Sequence, residues 1–225
     1  MKITFNLQKF TRSEINKLSL VKNGDCGLYG YIYRLNEEEC LKYYKVKIDD
    51  FQFYKLNDFT KYSFEAAVFP KRLVLVNNKF RGYIMDYVDG CRLDECTNMD
   101  FSLLVRLYKE YIDRILDEVS EERIEMLDVH SGNIMYDSKK EMFRSIDCED
   151  WTIENLPVYQ IRESNFRKLN LAFRSAITGD DFHFMKKITM DTDFVDYYES
   201  YREKIEIKSK KKILKVQDFI NYYWR

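Results

Sequence analysis

Two hydrophobic periods divide this chain. From Leu28 to Tyr87 apolar and aromatic residues come in short runs broken by polar pairs. Leu28 to Leu35 (LYGYIYRL) and Glu39 to Val46 (ECLKYYKV) flank the polar turn Asn36-Glu37-Glu38, which predicts a β-hairpin. Leu73 to Val76 and Phe80 to Tyr87 predict a second one around Asn77-Asn78, a good turn pair. Asp50 to Val68, between the hairpins, is predicted helical. From Asp100 the period changes: Leu104, Leu107, Tyr108, Tyr111, Ile112, Ile115, Leu116 and Val119 recur at helical spacing and predict a long amphipathic helix ending near Ser120. A strand follows at Asn133 to Tyr136, and residues 160–178 and 193–224 read as further helices. The pattern predicts a strand-rich lobe joined through Val88-Asp89-Gly90 to a helical one.

Composition narrows this picture only a little. The balance of 45% hydrophobic and 33% charged residues is ordinary for a globular protein. The net charge of −1 gives no global case for nucleic-acid binding. The basic run Lys208-Ser209-Lys210-Lys211-Lys212 reads as a solvated helix end or loop. Five scattered cysteines without a C-x-x-C, and only two histidines, argue against zinc and for a reducing compartment. No apolar run approaches the ~18 residues that span a bilayer, and MKITFNLQKF lacks a signal-peptide core. A soluble, cytoplasmic monomer is the expectation; a secretion signal read by a specialised export system would escape this reading.

The candidate chemistry is concentrated between Met126 and Asp150. Asp128 is followed five residues later by Asn133, and Asp147 comes fourteen residues after that. A carboxylate can orient a hydroxyl nucleophile and take its proton. An amide oxygen and a second carboxylate suit magnesium, a hard cation that prefers oxygen ligands. Upstream, Gly24, Gly27 and Gly30 fall in one short window, where backbone without a Cβ can approach phosphate oxygens. Lys42, flanked by Leu41 and Tyr43, faces opposite to them on its strand; Lys45 has the other parity and is the fallback. Glu65, the single glutamate between Lys47 and Pro70, is the candidate carboxylate partner of Lys42, with Asp58 as the alternative.

Taken in order, these elements resemble the protein-kinase-like fold over Gly24 to about Asp150. Gly27-Leu28-Tyr29-Gly30 with Ile32 is similar to the second half of G-x-G-x-x-G-x-V, and Asp128, Asn133 and Asp147 match the catalytic-loop Asp, its Asn and the metal-binding Asp that follows. The resemblance implies an α+β, bilobal protein, with a small antiparallel-sheet N-lobe over residues 1–87 and a reduced, mostly helical C-lobe over 88–225. It implies ATP and Mg²⁺, Lys42 and Glu65 as an ion pair at the phosphates, Met85 guarding the nucleotide pocket, and Asp86 to Val88 as an adenine-binding hinge. The departures are informative. Met126 replaces the His of H-R-D, Cys148-Glu149 replace Phe-Gly, and no A-P-E follows. Asp128-Val129-His130-Ser131-Gly132-Asn133 looks more like the loop of aminoglycoside and choline phosphotransferases, where His130 would contact the γ-phosphate or make a structural hydrogen bond. With about 75 residues after Asp150, the chain is most similar to truncated bacterial, effector-type kinases. The function so implied is a small Ser/Thr protein kinase acting on a protein substrate, with a protein activator in some relatives. The alternatives are a small-molecule phosphotransferase and a pseudokinase binding module.

Overall fold

The computed structural model describes residues 5–21, 30–178 and 193–223. Its fold is α+β: a sheet-built N-terminal unit, Met1–Val88, precedes a mostly helical one, Asp89–Arg225. In the first unit, β1 (Leu7–Phe10), β2 (Ser19–Leu20), β3 (Gly30–Arg34), β4 (Glu39–Tyr44), β5 (Arg72–Val76) and β6 (Lys79–Asp86) form one sheet in the order β1-β5-β6-β4-β3-β2. All neighbours pair antiparallel except β1, which lies parallel to β5 at the edge. Asn77 and Asn78 join β5 to β6 with φ of 51° and 60°, the left-handed pair that two-residue hairpins need and that Asn tolerates. A short helix, α1 (Arg12–Ile15), is started by a capping box. Thr11 Oγ1 accepts from the Glu14 N–H, and the Glu14 carboxylate accepts from the Thr11 N–H.

One face of the sheet buries Leu41, Val74, Val76 and Ile84 with Ile15 of α1. Over the other lies α2 (Asp50–Phe59), capped by Asp49 and packed through Phe53 on Phe80, which in turn meets Tyr44. The helix predicted over Asp50 to Val68 therefore stops nine residues early. Ala66, Ala67, Val68 and Phe69 are all buried. A surface helix can bury only one stripe, whereas an extended segment under the aromatic cluster of Phe59, Tyr62, Phe64 and Phe69 can bury the whole run.

The second unit is organised by α3 (Phe101–Glu121). All eight apolar positions spaced along it are buried. It packs on α4 (Val158–Thr178) and on the sheet β10-β9-β7, formed by β7 (Gly90–Arg92), β9 (Ile134–Asp137) and β10 (Met142–Ser145). β8 (Ile124–Glu125) and β11 (Thr152–Ile153), which flank β9 and β10 in sequence, form a separate two-stranded antiparallel ladder. The predicted helix over 193–224 is two helices, α5 (Phe194–Ser209) and α6 (Val216–Tyr223). Lys210 takes left-handed backbone at φ 56° and ends α5, within the basic run read as a helix end. Phe101 stacks on Tyr198, and Phe219 closes on both rings. Among the described residues no helix is long and apolar enough to cross a membrane.

Candidate active site

Strand register builds the constellation of the second unit. Ser145 pairs with Ile134 and Arg144 with Met135, so Asn133 and Ile146 come next along the ladder. The Ile146 N–H donates to the Asn133 carbonyl at 2.9 Å, which sets Asp147 one residue past that contact. Asp147 leaves the strand in left-handed backbone, φ 62° and ψ 56°, ahead of a 3-10 turn over Cys148–Asp150. Asp128 is left-handed too, at φ 52°. Asp is among the few side chains that take this conformation readily. Tyr111 of α3 shares a buried hydrogen bond of 2.6 Å with Ser145 and fixes β10 from behind.

Asn133 is tied to Asp128. Its Nδ2 donates to the Asp128 carbonyl at 3.0 Å and to the Asp128 carboxylate at 3.3 Å. With both amide hydrogens directed at Asp128, Oδ1 is held on the far side of a planar group. It is a hard oxygen, and the Asp147 carboxylate supplies more. Mg²⁺ binds through one or two such protein oxygens, taking the rest of its octahedron from phosphates and water. The donor set fits that ion. Among the described residues no group of three or more His, Cys, Asp or Glu could hold a metal unaided.

His130 has a structural hydrogen bond. Its Nδ1 accepts from the Gly132 N–H at 3.1 Å, and its carbonyl accepts from the Asn133 N–H at 2.9 Å. The Nε2 edge, left to carry the proton in the neutral ring, lies 3.9 Å from the Asp128 carboxylate. A Cβ on Gly132 would press on the imidazole, so glycine lets the ring close over the turn Ser131–Asn133. Both Asp128 and His130 are more than half exposed.

The segment entering this loop is clamped to α4. Asn165 is fully buried; its Oδ1 accepts from the Met126 N–H at 2.8 Å and its Nδ2 donates to the Ile124 carbonyl at 2.9 Å. Lys168 donates to the Met126 carbonyl and to Glu125, which also accepts from Ser164. The Lys168 ammonium holds the Glu125 carboxyl below its usual range against a smaller opposing effect of burial, and Ser164 adds to the lowering. Met126 itself is fully buried. These anchors were missed in the sequence. Their signal was Asn165, a polar residue four positions after Ile161 and four before Leu169, on a stripe that is otherwise apolar and buried.

In the first unit the register sets Gly30, Ile32, Lys42, Tyr83 and Met85 on one sheet face, with Lys42 opposite Ile32 on β3 and Tyr83 on β6. Lys42 is only 7% exposed. Lys45 is exposed, its ammonium over the Tyr31 ring. Glu65 is exposed at a bend in the irregular segment after α2 rather than on a helix, and Asp58 is exposed on α2 itself. Asp86 points to the opposite face, paired with Lys71, while Val88 is buried. The neighbouring Tyr87 N–H is taken by the Glu38 carbonyl. Gly24 and Gly27 lie outside the described residues.

No family model matches the chain, and no curated protein does. Among solved structures it is similar to the PK-1 kinase of Cydia pomonella granulovirus, at 18% identity and a TM-score of 0.47. The match covers 64% of this chain and 58% of that kinase, so this chain spans less than two thirds of the length of the protein it matches.

Proposed function

We propose that this chain is a Mg²⁺- and ATP-dependent phosphotransferase of the protein-kinase-like type, acting on serine or threonine hydroxyls of a protein. One observation carries the reading: the Asn133 side chain donates to Asp128 while its backbone carbonyl accepts from the Ile146 N–H, the residue before Asp147. In this reading Asp128 orients the acceptor hydroxyl and takes its proton, a contribution typically of about 10²–10⁴-fold. Asn133 and Asp147 would hold the Mg²⁺, whose charge offsets that of the phosphates. Lys42 is assigned to the phosphates, with Glu65 its proposed partner. Gly24, Gly27 and Gly30 are assigned to the loop covering the phosphates, and Met85, Asp86 and Val88 to the adenine end. Phosphoryl transfer leaves a protein little covalent chemistry to do, so positioning and charge carry the rate.

A second reading, transfer to a small molecule, is favoured by the string Asp128 to Asn133 and by the fold of His130 over that turn. The experiment is transfer from labelled ATP, with Mg²⁺, by wild type and by Asp128→Asn and Asp147→Asn. Labelled protein is expected from wild type, with a loss of about 10²-fold or more in either variant. Undiminished transfer in both would overturn the assignment. Label moving instead to aminoglycosides, choline or sugars would select the second reading. An ATP-dependent thermal shift without any transfer, with host-cell lysate added to supply a protein activator, would mark a nucleotide-binding module of the pseudokinase kind. No shift and no transfer would remove the nucleotide altogether.

A further inference from the structure

Cys91 and Cys96 are two of the scattered cysteines in sequence, yet the fold sets their sulfurs 3.0 Å apart. Both are free thiols. Cys91 lies on β7, and Cys96 closes the 3-10 turn Leu93–Glu95, its Sγ also directed at the Arg92 carbonyl. A disulfide needs its sulfurs about 2.0 Å apart, so closure asks for an approach of about 1 Å within a six-residue segment rather than a rearrangement of strands. Among the described cysteines Cys91 alone is partly exposed; Cys40, Cys96 and Cys148 are buried. Burial pushes the Cys40 thiol up to about 12 and the Cys96 thiol higher still. Of these four, a reagent from solution therefore meets Cys91 first.

The pair also sits against the loop of the candidate site. Cys91 pairs with Tyr136 and Arg92 with Met135 on β9, the strand that begins directly after Asn133. The turn Leu93–Glu95 packs on the turn Ser131–Asn133. We propose that Cys91 and Cys96 form a dithiol–disulfide couple, oxidised by small-molecule disulfides, whose state sets the conformation of the turn Ser131–Asn133. The Cys91 thiolate attacks one sulfur of the external disulfide; an S–S bond forms, the external one breaks, and the first thiolate leaves and takes up a proton. The Cys96 thiol then gives up its proton and its sulfur attacks that of Cys91, expelling the second thiolate. The protein dithiol loses two protons and two electrons, and the external disulfide gains them to become two thiols.

The test equilibrates the full chain across ratios of oxidised to reduced glutathione. Two thiols are expected to disappear together, leaving a protein lighter by two hydrogen atoms. Tryptic cleavage after Arg92 then separates the cysteines, so the two peptides should stay joined until a reductant is added. Amide exchange at residues 131–133 should change on oxidation in wild type and stay fixed in Cys91→Ser. In Cys96→Ala the reaction should halt with glutathione on Cys91, which keeps the test available if Cys91→Ser fails to fold. A stable glutathione adduct on wild-type Cys91, a disulfide to another cysteine, or closure without altered exchange at 131–133 would each overturn the proposal. None of these readouts requires ATP, so the couple stands or falls apart from phosphotransfer.

Discussion

Replacing Asn165 with alanine removes a side chain that satisfies two backbone groups at once. Asn165 has no solvent exposure, and its partners, the Met126 N–H and the Ile124 carbonyl, belong to the buried ends of the segment leading into Asp128. Leaving one buried polar group unpaired costs about 1–3 kcal/mol. Two such groups left unpaired set the expected loss at roughly 2–5 kcal/mol. For a domain of this size that is a fall in Tm of roughly 2–4 °C per kcal/mol. Denaturant unfolding of wild type and Asn165→Ala, followed by tryptophan fluorescence from Trp151 in the same unit, reads the difference directly. Amide exchange should locate it: protection at Met126 should fall more than protection along α3. A loss below about 1 kcal/mol, with Met126 still protected, would refute the claim that this one side chain clamps the loop to α4.

Two glycines and one carboxylate give further sharp expectations. At Gly82, φ is 155° and an added Cβ would lie inside the Lys42 carbonyl, so Gly82→Ala should destabilise the first unit by at least about 2–3 kcal/mol in thermal unfolding. Gly132→Ala meets only the movable His130 ring and should cost under about 1 kcal/mol. Glu125 has a lowered folded pKa, so its contribution to stability is complete above the ordinary glutamate range and is lost as pH falls through the lowered value. Stability measured from neutral to acid pH should therefore fall less steeply below the ordinary glutamate range in Glu125→Gln than in wild type, and the two curves should start offset near neutrality.

How much of this was legible follows from how local each determinant is. The stripe on α3 could be read because one helix face is buried along 21 residues, and the hairpins because each is closed by a turn with its own chemistry. Asp128, Asn133 and Asp147 could be picked out by residue type and spacing. What spacing could not give is the direction of the Asn133 amide, or the left-handed backbone at both acids, since these depend on the β9–β10 register. Asn165, Ser164 and Lys168 act on residues about forty positions earlier, and nothing near them in sequence marks that pairing. The end of α2 was misplaced because helical apolar spacing and a fully buried extended run look alike until a partner surface is known. The closeness of Cys91 and Cys96 depends on a 3-10 turn that has no hydrophobic period.

The left-handed backbone at Asp128 and Asp147 constrains how this loop can change over time. Most L side chains pay roughly 1–2 kcal/mol to sit there, so drift at either position is funnelled toward Asn and Gly. Asn keeps the turn and discards the charge; Gly keeps the turn and discards the side chain altogether. On the proposed reading, a descendant that gave up phosphotransfer could thus retain the loop's architecture through one substitution at either acid, and would betray its past by carrying Asn or Gly there while Asn165 and Lys168 still held the loop in place.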